Sequence, residues 1–476
     1  MTAAPVVALL VSAIVVLITI SNWRYGLISI VAIAVLQDVL RKLTPDVPSY
    51  YILWSVVMFA MVAMVALSRN ALQNQATLWL GDERLKGAFY LYFALVAFHS
   101  LHALLRWGTP VVPIFGLLFY LGPIIALLVV LAFARHPVWM KRFVGAYLLI
   151  MVPVCLTVYL SPQFKDSIPV LREVGSFVER ELIIYDAGTI LYSYSGLLRV
   201  GEIAAFHAAI SAGLLSIVLY QRDSSTFKRA LALLLIILLL GAISLTGRRK
   251  MLMALSIYWI LQFTLLNILR TGYSRRMLVF AILGLSVTLG VGLVSGDSES
   301  SLYLTRGASV FGSVSARVET SVDLFQSALD RSSWLGLGAG VASQGMRYTG
   351  VDLFRYVGGS SESGIGLIAV ELGVPGILVI AWLAFNIARV IWNKLRMIAE
   401  VDDTLLIQSV SYVALLLANA ATFATATQLY GDYFVLITLG VLAGGLYACV
   451  YRASRRQLLI RYLRSTLPRQ GIVAST

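Results

Sequence analysis

Five arginines and one glutamate carry most of the chemistry this chain could do. Thr246-Gly247-Arg248-Arg249-Lys250 places three cations in a row between two apolar runs. Arg172 and Arg199 lie in one polar loop, and Arg317 lies in another. A guanidinium presents a planar fork of N–H donors that matches the oxygens of a phosphate. Glu362 precedes the long apolar run that begins near Ile365. A carboxylate there has two uses. It can cap the helix and be stabilised by its dipole, or it can act as a general base in a partly desolvated pocket. Arg199 and Glu202 are three apart, so they can also satisfy one another on one helical face.

Other chemistries lack their residues. Gly336-x-Gly338-x-Gly340 is glycine-rich but is not followed by Lys-Ser/Thr, so it reads as tight turns near a bilayer surface and not as a nucleotide loop. The histidines (His99, His102, His136, His207) are scattered. His99 and His102 share a helical face, but two histidines alone are a weak metal signal, and no Ser/His/Asp set can be assembled around them. Cys155 and Cys449 sit in apolar runs and suggest neither a disulfide framework nor a metal site. No metal and no cofactor is expected.

The elements that must position these residues are membrane helices. Of 476 residues, 59% are hydrophobic and only 13% are charged, against about 25% in soluble domains. Mean hydropathy is +0.86. Apolar runs of about 20 residues recur along the chain without the alternation of a β-barrel. The expected fold is therefore an all-α polytopic bundle forming one integral membrane domain over 1–476. Its approximate spans are 4–20, 25–40, 51–67, 88–105, 111–134, 143–160, 201–220, 230–246, 250–269, 277–295, 365–391, 405–427 and 434–451. The first run has no basic residue before it, so it reads as a span and not as a signal peptide.

Basic residues set the orientation. The tail 452–476 carries Arg455, Arg456, Arg461, Arg464 and Arg469, and is expected in the cytoplasm. Counting back, Lys394/Arg396, Arg270/Arg275/Arg276, Arg222/Lys228/Arg229 and Arg135/Lys141/Arg142 fall on the same side. The net charge of +14 is thereby explained without nucleic acid. Two long loops, 161–200 and 295–364, are then outside, as is the N-terminus. The first loop is expected to hold a short amphipathic helix around Val170 to Ile184, with most of its mixed charges solvated. Arg248, Arg249 and Lys250 also fall outside, against the positive-inside bias. Either a helix is miscounted, or they snorkel, or they face a buried anion in a polar cavity.

Three separated pieces resemble the bacterial O-antigen polymerase and ligase family. Leu245-Thr246-Gly247-Arg248-Arg249-Lys250-Met251 is similar to its Thr/Ser-x-Ser-Arg-Gly segment. Arg317, then Trp334-Leu335-Gly336-Leu337-Gly338-Ala339-Gly340, is similar to its Arg and Leu-Gly-x-Gly stretch in the large periplasmic loop. Ser361-Glu362-Ser363 through Val370-Glu371-Leu372-Gly373-Val374-Pro375-Gly376 is similar to its Glu-x-Gly-x-x-Gly segment and the residues before it. The resemblance implies a GT-C-like inner-membrane glycosyltransferase working without metal, with inversion, at the periplasmic face. Its donor and acceptor would be glycans on undecaprenyl diphosphate, and a chain-length regulator is an implied partner. Arg248, Arg249 and Arg317 would bind diphosphate, with help from Arg199 and Arg172, and Glu362 would activate the acceptor. Ligases of the family carry a histidine where Ser361-Glu362 stands, which implies a polymerase, with a ligase as the alternative. A lipid-linked oligosaccharide transporter and a non-catalytic scaffold are the competing classes. No internal repeat of the transporter kind is visible.

Overall fold

A computed structural model describes residues 3–45, 48–69, 80–174, 183–186, 189–221, 224–270, 303, 314–343, 353–357 and 362–466. The chain is an all-α polytopic helical bundle. Its first half comprises α1 (Ala3–Ser21), α2 (Trp23–Leu43), α3 (Trp54–Ser68), α4 (Glu83–Trp107), α5 (Val111–Ala134), α6 (Pro137–Leu156) and the single turn α7 (Ser161–Phe164). The second comprises α8 (Gly201–Tyr220), α9 (Thr226–Leu245), α10 (Arg249–Leu269), α11 (Val314–Ser332), the turn α12 (Phe354–Val357), α13 (Gly364–Val401), α14 (Asp403–Thr425) and α15 (Tyr433–Thr466). Among the described residues, 11 helices are long and apolar enough to cross a membrane. They match the expected spans with two exceptions. The run at 25–40 forms α2, whose Arg24, Asp38, Arg41 and Lys42 make it more polar than the others. The run at 277–295 lies outside the described residues.

Contacts between helix ends divide the bundle into two faces. At one, Arg270 pairs with Asp403, Arg456 pairs with Asp402, and Arg389 lies 2.7 Å from Asp82. This is the tail end. The opposite end gathers the C-terminus of α2, the 161–200 loop, and the N-termini of α8, α10, α13 and α15. Lys42 there donates to Val170 O and Gly196 O, and Thr427 N–H donates to Glu362 O. This is the loop end.

The most buried spans are α8 and α15, which form the centre of the bundle. Gly440 and Gly444 let α15 lie directly on α5, where a Cβ would come 2.4 Å from the Ala126 Cβ and 2.6 Å from that of Val130. Small residues permit such close approach where no hydrophobic force drives helices together.

Of the helix expected around Val170 to Ile184, residues 175–182 lie outside the described residues; Pro169–Leu171 forms a single 3-10 turn, and Ile183 and Ile184 belong to a hairpin. Ile183–Asp186 and Thr189–Tyr192 are strands, paired antiparallel with Ile183 opposite Tyr192 and Asp186 opposite Thr189. Ile-Ile-Tyr and Thr-Ile-Leu-Tyr are β-branched and aromatic runs that favour a pleated surface over a helix.

Candidate functional site

Arg248 is the N-cap of α10, and the turn before it is made by Gly247 at φ 66°. Thr246 Oγ1 accepts from the Arg248 N–H at 3.2 Å. This tight reversal between α9 and α10 presents all three cations at the loop end. Glu202, in the first turn of α8, answers two of them. Its Oε1 lies 2.9 Å from Lys250 Nζ and 3.3 Å from Arg248 Nη1. Arg248 and Lys250 retain only 18% and 9% side-chain exposure, so these are partly desolvated charges and not snorkelling ones. Arg248 Nε is buried and finds no hydrogen-bond partner among the described residues. Arg249 is half-buried beside them as the first residue of α10.

A second carboxylate stands against this group. Glu173 leaves the 161–200 loop to meet the start of α8. Its Oε1 accepts from Gly201 N–H at 2.7 Å and from Ser193 Oγ at 3.3 Å. The same Ser193 hydroxyl proton is shared with Thr246 O at 3.1 Å, tying the loop to the arginine turn. A Cβ on Gly201 would lie 2.4 Å from Ser193 Oγ and so displace that hydroxyl from Glu173. Glu173 Oε2 is buried with no hydrogen-bond partner among the described residues. Burial pushes the Glu173 carboxyl up to about 7. Arg248 and the Gly201 and Ser193 hydrogen bonds pull it down less strongly, and Glu202 adds to the rise. Desolvation exceeding a nearby cation is the pattern expected of a poised acid–base group. Among the mixed charges of this loop, Glu173 is therefore not solvated as expected. Its sequence neighbourhood gave no signal beyond a charge in a polar loop.

The other expected residues are placed differently. Arg199 sits between two buried carboxylates, Asp38 of α2 and Asp432 at the start of α15. Its Nη1 is 3.6 Å from Asp38 Oδ1, and its Nη2 pairs with Asp432 Oδ2. Its backbone N–H also donates to Asp38 Oδ2 at 3.0 Å. The expected pairing of Arg199 with Glu202 gives way to this triad, because Glu202 turns to Arg248 and Lys250. Arg172 is exposed and folds back on its own loop, donating to Lys165 O and Asp166 O at 2.9 and 3.2 Å. The Arg317 side chain lies outside the described residues; its backbone is in α11. Glu362 is exposed, and the cap of α13 is its neighbour Ser363, whose Oγ accepts from Gly366 N–H at 3.0 Å. Among the described residues nothing encloses Glu362; residues 358–361 beside it lie outside them.

The two glycine motifs meet. Leu337 N–H donates to Val370 O and Gly338 N–H to Glu371 O, so the segment 334–343 docks on α13 where Gly373 (φ 64°, ψ −161°) breaks the helix. A Cβ on Gly336 would fall 2.6 Å from Gly373 N, and one on Gly340 would fall 2.0 Å from Val112 O. Glu371 anchors the dock. It accepts from Ala342 N–H and Tyr120 O–H, both at 2.8 Å. Irregular backbone is tolerated at membrane depth only when buried in protein in this way. The glycines thus serve backbone contact and not merely turns. His99 lies beneath the segment, with its carbonyl accepting from Ala339 N–H. Among the described residues no group of His, Cys, Asp and Glu could hold a metal ion.

No protein-family model matches this chain, and no curated protein matches it either.

Proposed function

We propose that the chain is a membrane-embedded polysaccharide polymerase. It moves a glycan from undecaprenyl diphosphate onto the end of an acceptor glycan, at the periplasmic face, with inversion at the sugar C1 and without metal. The observation that carries this reading is the half-buried cation turn Arg248-Arg249-Lys250, held beside the carboxylates Glu173 and Glu202 at the loop end. When diphosphate leaves C1, negative charge grows on its oxygens. Fixed guanidinium groups in a partly desolvated site stabilise that charge more than water does. Bond-making also needs a proton acceptor, and carboxylates stand in the same cluster.

The basic tail end supports a cytoplasmic placement for the opposite face. A lipid carrier explains why the site is built at the end of apolar helices. The docking of segment 334–343 on the break at Gly373 supports the reading further, since two of the three segments resembling the polymerase and ligase family prove to be a single structural unit.

The test is reconstitution. Purified protein in nanodiscs receives undecaprenyl-diphosphate-linked repeat units, with chelator present, and products are resolved on a gel. The expected result is a ladder of lengthening lipid-linked glycans that Arg248→Ala removes. Substrate crossing a liposome bilayer with no new bond would overturn the reading in favour of transport.

A further inference from the structure

We infer that Glu173 is the group that takes the proton from the acceptor hydroxyl, and that the buried edge of the 161–200 loop, not the start of α13, supplies the base. This rests on the glycosyl-transfer reading above.

The geometry divides the carboxylate into two halves. Oε1 is committed to Gly201 N–H and Ser193 Oγ, which fixes the group in place. Oε2 keeps its lone pairs unused by any described residue. Oε2 is buried as well as unpartnered, so an acceptor hydroxyl entering beside it would supply the one partner it lacks, the arrangement a general base needs. Its surroundings complete the case. Arg248 faces it from the head of α10, Lys42 from the end of α2, and Glu202 from the first turn of α8. Arg248 and the two hydrogen bonds favour the carboxylate, while burial and Glu202 favour the acid. Burial is the largest influence, and the group titrates at about 7. Near neutral pH it therefore holds a large carboxylate fraction and is still basic enough to accept a proton. Glu362, in contrast, is exposed.

The step balances. The acceptor O–H gives its proton to Glu173 Oε2 as its oxygen forms the new bond to C1. The C1–O bond to the diphosphate breaks, and its electron pair leaves with undecaprenyl diphosphate, whose charge Arg248 meets. The proton then passes to water, restoring the carboxylate.

The experiment combines substitution with a pH profile in the nanodisc assay. Glu173→Gln keeps an oxygen for Gly201 N–H and Ser193 but cannot take a proton. Its rate is expected to fall about 100-fold or more, as loss of a general base does, while binding of undecaprenyl diphosphate and thermal unfolding at pH 5 stay near those of the parent. The unmodified protein is expected to show kcat/KM rising with pH through an inflection near 7, a limb missing from the residual activity of Glu173→Gln. The profile of the unmodified protein is a test even if the variant does not fold, since a flat profile between about pH 5.5 and 8 overturns the assignment. So does a Glu173→Gln variant that keeps rate and limb while Glu362→Gln loses both. A ladder that forms in Glu173→Gln at the parent's rate overturns this assignment alone. No ladder from the parent at any pH overturns the glycosyl-transfer reading, and this assignment with it.

Discussion

Replacing Arg199 with alanine is expected to unfold the bundle and not to weaken substrate binding selectively. Arg199 is the cation between Asp38 and Asp432, which are 2% and 3% exposed. Lys42 also lies near Asp38 and donates to Val170 O, Ser195 Oγ and Gly196 O, so Arg199 is the principal countercharge of the two carboxylates. Removing the guanidinium leaves Asp432 without its ion pair. Asp38 is left with the backbone N–H of residue 199 and with Lys42. An uncompensated buried charge of this kind costs about 3 to 5 kcal/mol. Because Val435 N–H still donates to Asp432 at 2.9 Å, the lower half of that range is expected. The pairing also joins α2, the lead-in to α8 and the head of α15, so its loss loosens three elements together. Equilibrium unfolding in mixed micelles, followed by tryptophan fluorescence, measures the cost. The triple change Asp38→Asn, Arg199→Met and Asp432→Asn removes the three paired charges, keeps oxygens for the two backbone donors, and leaves Lys42 held by Val170 O, Ser195 Oγ and Gly196 O. It is expected to return to within about 2 kcal/mol of the parent, since buried ion pairs are replaceable by neutral groups more cheaply than they are broken. If Arg199→Ala unfolds like the parent while binding of undecaprenyl diphosphate falls, the buried-network argument fails and Arg199 is an anion ligand after all.

Three further outcomes are expected. Gly340→Ala, whose Cβ would meet Val112 O at 2.0 Å from a backbone with φ 94°, should cost at least ~2 kcal/mol or prevent folding. Gly145→Ala, with nothing within 4 Å, should be neutral or stabilising by about 0.5 to 1 kcal/mol; equal thermal shifts in the two would refute the docking of 334–343 on α5. Ser363→Ala should cost about 1 kcal/mol through its lost cap, and a larger loss in Glu362→Gln than in Ser363→Ala would show that the cap is misassigned. Glu173 also links stability to pH. Its folded carboxyl titrates near 7 against an ordinary 4.5, so the neutral acid is the form folding favours. Its contribution is complete below about pH 4.5 and is lost as pH rises through 7, a change of at most about 3 kcal/mol. Denaturation at pH 5 and pH 8 should therefore differ less in Glu173→Gln than in the parent, and an identical pH dependence in both would remove the burial argument.

The sequence alone determined the bundle and much of its order. Runs of about 20 apolar residues leave a chain few ways to satisfy its backbone in lipid other than as helices, and all but two of the expected spans reappear as long apolar helices among the described residues. Loop residues such as Arg248, Arg249 and Lys250 were also legible, because cations against the topological bias are costly and so conspicuous. What the sequence could not decide was which charge meets which. Arg199 is three residues from Glu202, yet its partners are 161 and 233 positions away. Glu173 reads as one charge among many in a polar loop. Only its folding against Gly201, Ser193 and Arg248 makes it a half-buried group with one buried, unpartnered oxygen. Likewise, three spaced glycines signal turns, but their contact with the break at Gly373 depends on a segment crossing the bundle to reach α13. Helix formation is local and is written in periodicity and hydropathy. Desolvation and charge pairing are set by whatever the tertiary fold brings within a few ångströms.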